Sequence, residues 1–359
     1  MNDPVFDAGL VRSSLQPKAT DVPLLRSLAN INPKSDFRLA IDQASEVPSK
    51  LDGAFVDDRI HVAFGLDAAY LAHAGVVVKS MVANAPGAKF CFMILHDDIS
   101  ALARSEFERC GEGHQFLWLK IDEPAVLAMP GKRHISRAGY FRLMITELAP
   151  AGVKRVVYLD GDLVVTGDIR ELYRTNLGQF AIGAISDVGM DARLFADRFA
   201  LAPQRLGYFN SGVLVLDLEK LRTSNDFRRT RELLEARIDD MEYGDQCALN
   251  VIFWQRWMAV DMLWNVQRRM LMPNEGKPCF ANLDEMRTGY RPKIIHFTEH
   301  NKPWSVDAWH PLVWTYYRYL DRTPYSLHVR KIAKVTRLRE IRRRIKTFIN
   351  WQRLKRNQT

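Results

Sequence analysis

Two carboxylates stand two residues apart in the stretch Asp160-Gly161-Asp162, directly after a β-branched and aromatic run at residues 154–159. That run predicts a buried strand. Side chains two positions apart on an extended backbone point the same way, and Gly161 lets a ligand approach the main chain. The pattern favours a hard-metal site for Mg²⁺ or Mn²⁺ that keeps positions open for substrate phosphates. The alternative for such a pair is a strand that ends in a polar turn.

Two residues far downstream fit the same site. His296 lies at the end of a short predicted strand at residues 293–297, and Lys302 follows it by six residues. An imidazole can complete a hard-metal site as a third protein ligand, and a nearby lysine meets phosphate oxygens as a point charge. This set suits the departure of a diphosphate, because metal and lysine both stabilise the developing negative charge. Taken alone, His296 is more typical of a hydrogen-bonded core histidine and Lys302 of a solvated loop.

The elements that must position these residues alternate between strands and helices. Strands are predicted at residues 59–64, 89–95, 115–121, 154–159, 180–185, 212–216 and 293–297, and helices at 68–82, 100–110, 137–148, 227–238 and from Gly244 onward. This alternation predicts an α/β fold with a doubly wound, mostly parallel sheet. Ligands bind beyond the carboxyl ends of the strands in such sheets. Asp67, Asp160 and Asp162 all follow predicted strands.

Length and composition indicate a globular protein of 359 residues, with room for one large α/β domain or two smaller ones. The four cysteines have neither zinc spacing nor a disulfide framework, which indicates a reducing compartment. No apolar run approaches the roughly 20 residues of a membrane span, and the N-terminus lacks the features of a secretion signal. We therefore predict a cytoplasmic protein with an N-terminal extension at residues 1–58 and a catalytic domain at residues 59–325.

The positive charge is concentrated at the C-terminus. From Ser326 onward there are twelve Lys and Arg against one acid, Glu340, so this tail has a net charge of +11. The whole chain has a net charge of +9, which leaves −2 for residues 1–325. Its apolar residues recur mostly three and four apart, as on one stripe of a helix. They are Ile332, Val335, Leu338, Ile341, Ile345, Phe348 and Ile349.

A basic amphipathic helix suits an anionic membrane surface. We therefore predict that residues 326–359 attach the protein peripherally to the inner face of the cytoplasmic membrane. The alternative is a terminal helix that packs its apolar stripe on the body of the protein.

Six stretches, in the same order, resemble the family 8 glycosyltransferases, which include bacterial lipopolysaccharide galactosyl- and glucosyltransferases and, more distantly, glycogenin. The resemblance covers about residues 59–320 and is carried by residues 62–67, 133–136 with 140–143, 157–162, 209–213, 245–250 and 296–304. It implies a GT-A-type, Rossmann-like fold that binds a nucleotide sugar. It also implies a retaining hexosyltransferase that moves galactose or glucose from a UDP-sugar to a lipopolysaccharide or other surface glycan. The acceptor would be a glycolipid or an oligosaccharide. The metal in this family is usually Mn²⁺.

The resemblance assigns binding roles to three groups of residues. The metal ligands would be Asp160, Asp162 and His296. The residues that hold the uridine would be Asp67 and Tyr70, with the tyrosine ring against the uracil. The residues around the donor sugar would be Arg142, Asp187, Asn210 and Asp245. Ala69 departs from the family, which often has Asn or a similar polar residue there, and this removes one direct nucleoside contact.

The residues assigned to catalysis by the same resemblance are Gln246, Asp187 and Lys302. Lys302 would steady the departing diphosphate, and Gln246 would lie beneath the anomeric carbon. Because an amide is a poor nucleophile, we favour front-face attack by the acceptor, with Gln246 stabilising positive charge. Several of the assigned residues have structural alternatives when taken singly. Asp67 and Asp245 suit helix N-caps, and Asn210 suits a turn.

Two other functions are compatible with parts of the pattern. A metal-dependent nucleotidyltransferase also uses strand-end carboxylates, but it typically needs a triphosphate cradle, and the sequence lacks G-x-x-x-x-G-K-[ST]. A nucleic-acid-binding protein would use the basic tail, but such proteins pair a basic face with stacking aromatics in the folded domain. The body carries −2, and the tail offers only Phe348 and Trp351. We therefore expect no nucleic-acid partner.

Overall fold

The computed structural model describes residues 58–131, 136–203, 206–271, 291–298, 302–305, 310–334 and 336–356. Its strands are β1 (Ile60–Gly65), β2 (Phe90–His96), β3 (Gln115–Lys120), β4 (Arg155–Leu159), β5 (Leu163–Val165), β6 (Ile182–Ser186), β7 (Phe209–Asp217), β8 (Met258–Ala259), β9 (Val266–Gln267) and β10 (Ile294–His296).

Seven of these strands form one sheet in the order β3-β2-β1-β4-β7-β6-β8. Strand β1 runs parallel to β2 and β4, and the pairs β2–β3 and β6–β8 are also parallel. Strand β7 is antiparallel to both of its neighbours, β4 and β6. A second sheet has the order β5-β10-β9 and carries His296 opposite Leu163. The predicted α/β fold with a mostly parallel sheet is confirmed.

The α-helices are α1 (Leu71–Asn84), α2 (Ala101–Glu108), α3 (Pro124–Ala128), α4 (Ile145–Leu148), α5 (Ile169–Tyr173), α6 (Ala192–Arg198), α7 (Leu218–Ser224), α8 (Asp226–Arg237), α9 (Asp245–Ile252), α10 (Arg268–Leu271), α11 (Val313–Leu320), α12 (Ser326–Ile332) and α13 (Arg337–Arg356). Short 3-10 helices occupy Arg109–Gly111, Arg137–Met144, Ile238–Asp240 and Met262–Asn265.

Both faces of the main sheet are covered, so its central strands are mostly buried and rich in apolar residues. All seven residues of β2 are buried. Alternate residues of β1 belong to different cores, with Val62 and Phe64 in the core that contains α1, and Ala63 in the core that contains Tyr140 and Phe141. This two-sided packing fixes the register of the strands, because a slip by one residue would exchange the two faces.

Three sequence-based expectations need correction. Residues 137–148 form an eight-residue 3-10 helix followed by the short α4 instead of one helix. Asn210 lies within β7 instead of in a turn before it, because the strand pairs with β6 from Phe209 onward. The helix predicted at residues 227–238 begins and ends one residue earlier, as α8, and it buries Phe227 and Leu234 against the rest of the domain.

The C-terminal helix α13 packs on the body through the side that carries Glu340, Thr347 and Trp351. Glu340 is 1% exposed and forms ion pairs with Arg330 and Arg344. The predicted apolar stripe faces outward instead, with Leu338 59% and Ile345 54% exposed. The alternative that the stripe packs on the body is therefore wrong for most of its residues, because the buried acid draws the arginine side of the helix inward.

Some predicted features lie outside the described residues. They are the extension at residues 1–57, the motif residues 133–135 and 299–301, Cys279 and Val335. Within the described part of the chain, no helix has both the length and the apolar character that a membrane crossing requires.

Candidate active site

The three predicted metal ligands converge where β4 ends beside β10. Oxygen and nitrogen atoms of Asp160, Asp162 and His296 that could ligate a metal lie within 4.8 Å of one another. The backbone holds them in place, since the N–H of Asp160 donates to the carbonyl of Gly212 at 2.9 Å and that of Phe297 to the carbonyl of Asp162 at 3.1 Å. Oδ1 of Asp162 is buried without a hydrogen-bond partner and lies 3.3 Å from Nε2 of His296. Two carboxylates and an imidazole with an unsatisfied oxygen fit a divalent cation.

Lys302 closes one side of this cluster. Its ammonium group donates to Oδ2 of Asp162 and, at 2.7 Å, to the carbonyl of Phe297. Burial by itself would raise the pKa of Asp162, but the charge of Lys302 outweighs burial and holds that pKa well below its ordinary value. Asp162 is therefore an anion at neutral pH, as a metal ligand must be.

Arg142 links the metal cluster to the predicted sugar site. Its guanidinium is buried and donates to Oδ1 of Asp160 at 3.0 Å, to the carbonyl of Ser211, and to the carbonyl of Gly139 at 2.9 Å. The Nε atom also lies 2.8 Å from Oδ2 of Asp245, and the group stacks over the ring of Tyr158 at 4.4 Å. Burial disfavours the charge of Arg142, but the two aspartates overcome it and raise the arginine's pKa. Arg142 thus fixes both the buried Asp245 and the partly exposed Asp160.

Asp245 begins α9 and is buried beneath Arg142. Gly244 before it has φ 51°, and a Cβ there would meet the ring of Tyr140 at 3.0 Å, so glycine is required for this sharp entry. Burial raises the pKa of Asp245 to about 6, although the charge of Arg142 acts in the opposite direction. Asp245 is therefore protonated at a higher pH than Asp162.

Gln246, Asp187 and Asn210 form one hydrogen-bonded group on the other side of the cleft. The amide of Gln246 accepts from the N–H of Ser211 at 3.0 Å and donates to Oδ2 of Asp187 at 3.1 Å. Asn210 donates to the same oxygen at 3.1 Å, and the N–H of Gly189 donates to Oδ1 at 2.8 Å. Both Asp187 oxygens thus have partners, which suits a residue that orients the two amides.

A glycine lies directly beneath the metal cluster. A Cβ on Gly212 would approach Cε1 of His296 to 2.3 Å and Oδ2 of Asp160 to 2.7 Å. Only glycine leaves room for the two ligands to close in on one another. Gly161 has a further role beside the predicted one, because a Cβ there would meet the ring of Tyr70 at 3.0 Å. It makes room for that ring as well as for a ligand.

The predicted uridine residues differ in their placement. Tyr70 lines the cleft, edge-on to Trp304 with ring centroids 5.9 Å apart, and Trp304 stacks on His73 at 3.5 Å. Oδ1 of Asp67 accepts from the N–H of Tyr70 at 3.0 Å and so caps the turn before α1, the alternative anticipated from sequence. Asp67 is not among the residues that line the cleft.

The cleft has a volume of about 440 Å³, within the usual range for small-molecule sites. It brings together all the predicted site residues except Asp67. The structure adds cleft residues that the sequence analysis missed, namely Ser211, Gln267 and Arg269. Their signal was weak, because Gln267 ends the two-residue strand β9, Arg269 lies in the four-residue helix α10, and no motif surrounds them. The arrangement can bind a metal-bound anion at one end and a polar ring at the other.

The sequence model of the family Glycosyl transferase family 8 matches residues 61–308 of this chain. That stretch includes every predicted site residue.

Individual relatives are similar at lower identity. General stress protein A of Bacillus subtilis (strain 168) is 24% identical over 279 residues, which cover 75% of this chain and 96% of the relative. A lipopolysaccharide 1,2-glucosyltransferase of Escherichia coli (strain K12) is 28% identical over 294 residues, 81% of this chain and 82% of the relative. Among solved structures, galactosyltransferase LgtC with donor and acceptor sugar analogues superposes with a TM-score of 0.65 at 24% identity, over 74% of this chain and 96% of that one.

Proposed function

Because the chain belongs to glycosyl transferase family 8, we propose that it transfers galactose or glucose from a UDP-sugar to a lipopolysaccharide or other surface-glycan acceptor, with retention of configuration and with Mn²⁺ or Mg²⁺ in the site. The observation that carries this proposal is the cluster of Asp160, Asp162 and His296 in one cleft with Lys302 and Gln246. A family resemblance alone would not require these five side chains to meet.

The residues of the cleft suit departure of a nucleoside diphosphate. A bound divalent metal would supply Lewis-acid stabilisation of the diphosphate. Lys302 is close enough to the cluster to exchange Asp162 for a phosphate oxygen and so share the negative charge that develops on the leaving group. Arg142 keeps Asp160 oriented toward the same point. Tyr70, which lines the cleft edge-on to Trp304, provides aromatic surface for a base.

The partners of the cleft carboxylates favour retention. Asp160 and Asp162 belong to the metal cluster, Asp245 pairs with Arg142, and both oxygens of Asp187 accept hydrogen bonds. An inverting transferase needs a carboxylate free to take the proton of the acceptor, and each of these four already has a partner. Gln246 presents a neutral amide whose oxygen can stabilise positive charge on the sugar during front-face attack.

The acceptor and the membrane complete the proposal. The relatives named above include a lipopolysaccharide 1,2-glucosyltransferase and a galactosyltransferase, which supports a surface glycan as acceptor. Such acceptors are held in membrane lipid, and the exposed apolar residues of α13 lie among the arginines and lysines of the +11 tail. We propose that this face rests on the anionic inner surface of the cytoplasmic membrane and brings the catalytic domain, residues 59–325, to its acceptor.

A donor screen tests the enzymatic proposal. The full chain with Mn²⁺ is incubated with UDP-galactose, UDP-glucose, GDP-mannose and ADP-glucose, with and without a truncated lipopolysaccharide acceptor, and release of the nucleoside diphosphate is measured. We expect release from a UDP-hexose, stimulation by the acceptor, and an α linkage in the NMR spectrum of the first product. Release from the other donors only, or a β linkage, would contradict the proposal.

A further inference from the structure

His296 has a buried partner on the side away from the metal cluster. Its Nδ1 atom lies 2.9 Å from Oδ1 of Asn265, in the 3-10 helix that precedes β9, and Asn265 is fully buried. An imidazole nitrogen can either donate or accept in such a pair. Which of the two occurs here depends on the orientation of the Asn265 amide, and the surrounding hydrogen bonds determine that orientation.

The orientation follows from a backbone group that can only donate. The N–H of Gly212 donates to one terminal atom of Asn210 at 3.0 Å, so that atom must be the oxygen, Oδ1. The same oxygen lies 2.9 Å from a terminal atom of Asn265, which must therefore be the amide nitrogen. The other Asn265 atom, which faces His296, is then the oxygen. The assignment rests on the network and not on the appearance of the amide.

The tautomer of His296 follows in turn. Because Oδ1 of Asn265 only accepts, Nδ1 of His296 carries the hydrogen, and in the neutral imidazole Nε2 then has a lone pair. That lone pair lies 3.3 Å from Oδ1 of Asp162, a buried acceptor that has no hydrogen-bond partner. Two acceptors that face each other in a buried site repel unless a cation binds to both.

We propose that Asn265 is a positioning residue that holds His296 as its Nδ1–H tautomer and so directs Nε2 at the metal. This inference rests on the proposed function only for the identity of the metal site. A buried group beside a ligating histidine commonly sets its tautomer, and loss of such a partner typically lowers metal affinity about 10–100-fold. An amide is needed at this position because Asn265 must accept from His296 and donate to Asn210 at once.

The tautomer is measured directly in the metal-free protein. Histidine labelled with ¹⁵N gives distinct nitrogen–proton correlation patterns for the two neutral tautomers, and the variant His296→Asn identifies the His296 signals by their loss. We expect the Nδ1–H pattern in the wild type and an Nε2–H or mixed pattern in Asn265→Leu. An Nε2–H pattern for His296 in the wild type would overturn the inference.

Metal affinity provides the second measurement. Free Mn²⁺ is followed by electron paramagnetic resonance during titration of the protein with UDP present. We expect Asn265→Leu to bind Mn²⁺ about 10–100-fold more weakly than the wild type. Asn265→Asp keeps an acceptor toward Nδ1, so we expect it to keep the tautomer and to bind Mn²⁺ more tightly than the leucine variant. Wild-type affinity in Asn265→Leu would overturn the inference.

A matched control separates positioning from general damage to the fold. Asn250 is also a fully buried amide, and it bonds both backbone groups of Phe209 without touching His296. We expect Asn250→Leu to lower the thermal midpoint but leave the His296 tautomer unchanged. A changed tautomer in this variant would show that loss of any buried amide has the same effect and would overturn the inference. If the wild type bound no Mn²⁺, the proposed function would fail, while the tautomer result would still decide the role of Asn265.

Discussion

The ammonium group of Lys302 lies against Oδ2 of Asp162, and the two side chains are only 14% and 10% exposed. A cation is thus already in place beside the metal cluster before any substrate arrives. When a metal-bound diphosphate enters, Lys302 can exchange its carboxylate partner for a phosphate oxygen with little movement. The pair therefore holds the lysine ready for a leaving group that gains negative charge.

Replacing Lys302 tests this interpretation. We expect Lys302→Met to lower kcat for UDP-hexose by about 10²–10³-fold, the usual effect of losing one group that stabilises charge in the transition state. Lys293→Met is the control, because Lys293 forms an exposed ion pair with Glu171 away from the cleft. Steady-state kinetics with saturating Mn²⁺ measure both variants. Equal kcat values for Lys302→Met and Lys293→Met would contradict the assigned role.

The glycine beneath the metal cluster gives a second prediction. Gly212→Ala should push His296 and Asp160 apart, because its Cβ would come within 2.3 Å of the imidazole. We expect at least a tenfold loss of Mn²⁺ affinity, measured by titration with UDP present. Gly207→Ala is the matched control, since a Cβ there meets Ser186 at an ordinary 3.9 Å. Undiminished affinity in Gly212→Ala would show that the cluster does not bind the metal.

Acid sensitivity follows from His73, which lies between Trp304 and Tyr316. Burial lowers the pKa of His73 to about 3 from 6.5. Between pH 3 and 6.5 His73 is protonated in the unfolded state but not in the folded state. The free energy of unfolding therefore rises with pH across this window and falls as pH drops below 6.5. Each such proton contributes a slope of up to about 1.4 kcal/mol per pH unit.

Urea unfolding at several pH values tests this dependence. We expect His73→Gln to reduce the slope of the unfolding free energy against pH between pH 6 and 4. Part of that slope should remain, because burial also lowers the pKa of His310 to about 3. Tyr316→Phe removes the 2.7 Å hydrogen bond between His73 and the Tyr316 hydroxyl but keeps the histidine. The pH slope of this variant should therefore stay as in the wild type. An unchanged slope in His73→Gln would contradict the prediction.

The membrane face of α13 is testable without removing the tail. Deleting residues 326–359 would also remove Glu340 and Trp351, which are buried against the body. We therefore predict that replacing the exposed Leu338, Ile341, Ile345 and Ile349 together by Gln abolishes sedimentation with anionic vesicles at physiological salt. The thermal midpoint should not fall, since these side chains face solvent. Sedimentation equal to that of the wild type would show that this face is not the anchor.

The strands and the motifs at their ends could be predicted from sequence because apolar runs and strand-end carboxylates are local signals. Asp160 and Asp162 were predicted from such a signal. The three-stranded sheet was not, because β5 and β9 are too short to show a pattern. That sheet is nevertheless what brings His296 to the aspartates.

Residues that act by positioning other residues could not be predicted from the sequence either. Asn265 lies in no motif, and Gly212 lies in one without a role assigned to it, so the importance of both depends on distances across the fold. The side of α13 that packs inward was another such case. Its apolar period was clear, but the ion pair of Glu340 with Arg330, which helps to decide the orientation, joins two separate helices, α12 and α13.

The central claim is that Asp160 and Asp162 hold a metal on which transfer from a UDP-hexose depends. It is tested most directly by measuring UDP release from wild type, Asp160→Asn and Asp162→Asn in EDTA and after addition of Mn²⁺, with circular dichroism to confirm the fold. We predict that Mn²⁺ restores release in the wild type and that both folded variants stay at least a thousandfold lower, on the order of a lost group that stabilises transition-state charge. Near wild-type release in either variant, or full release in EDTA, would contradict the claim.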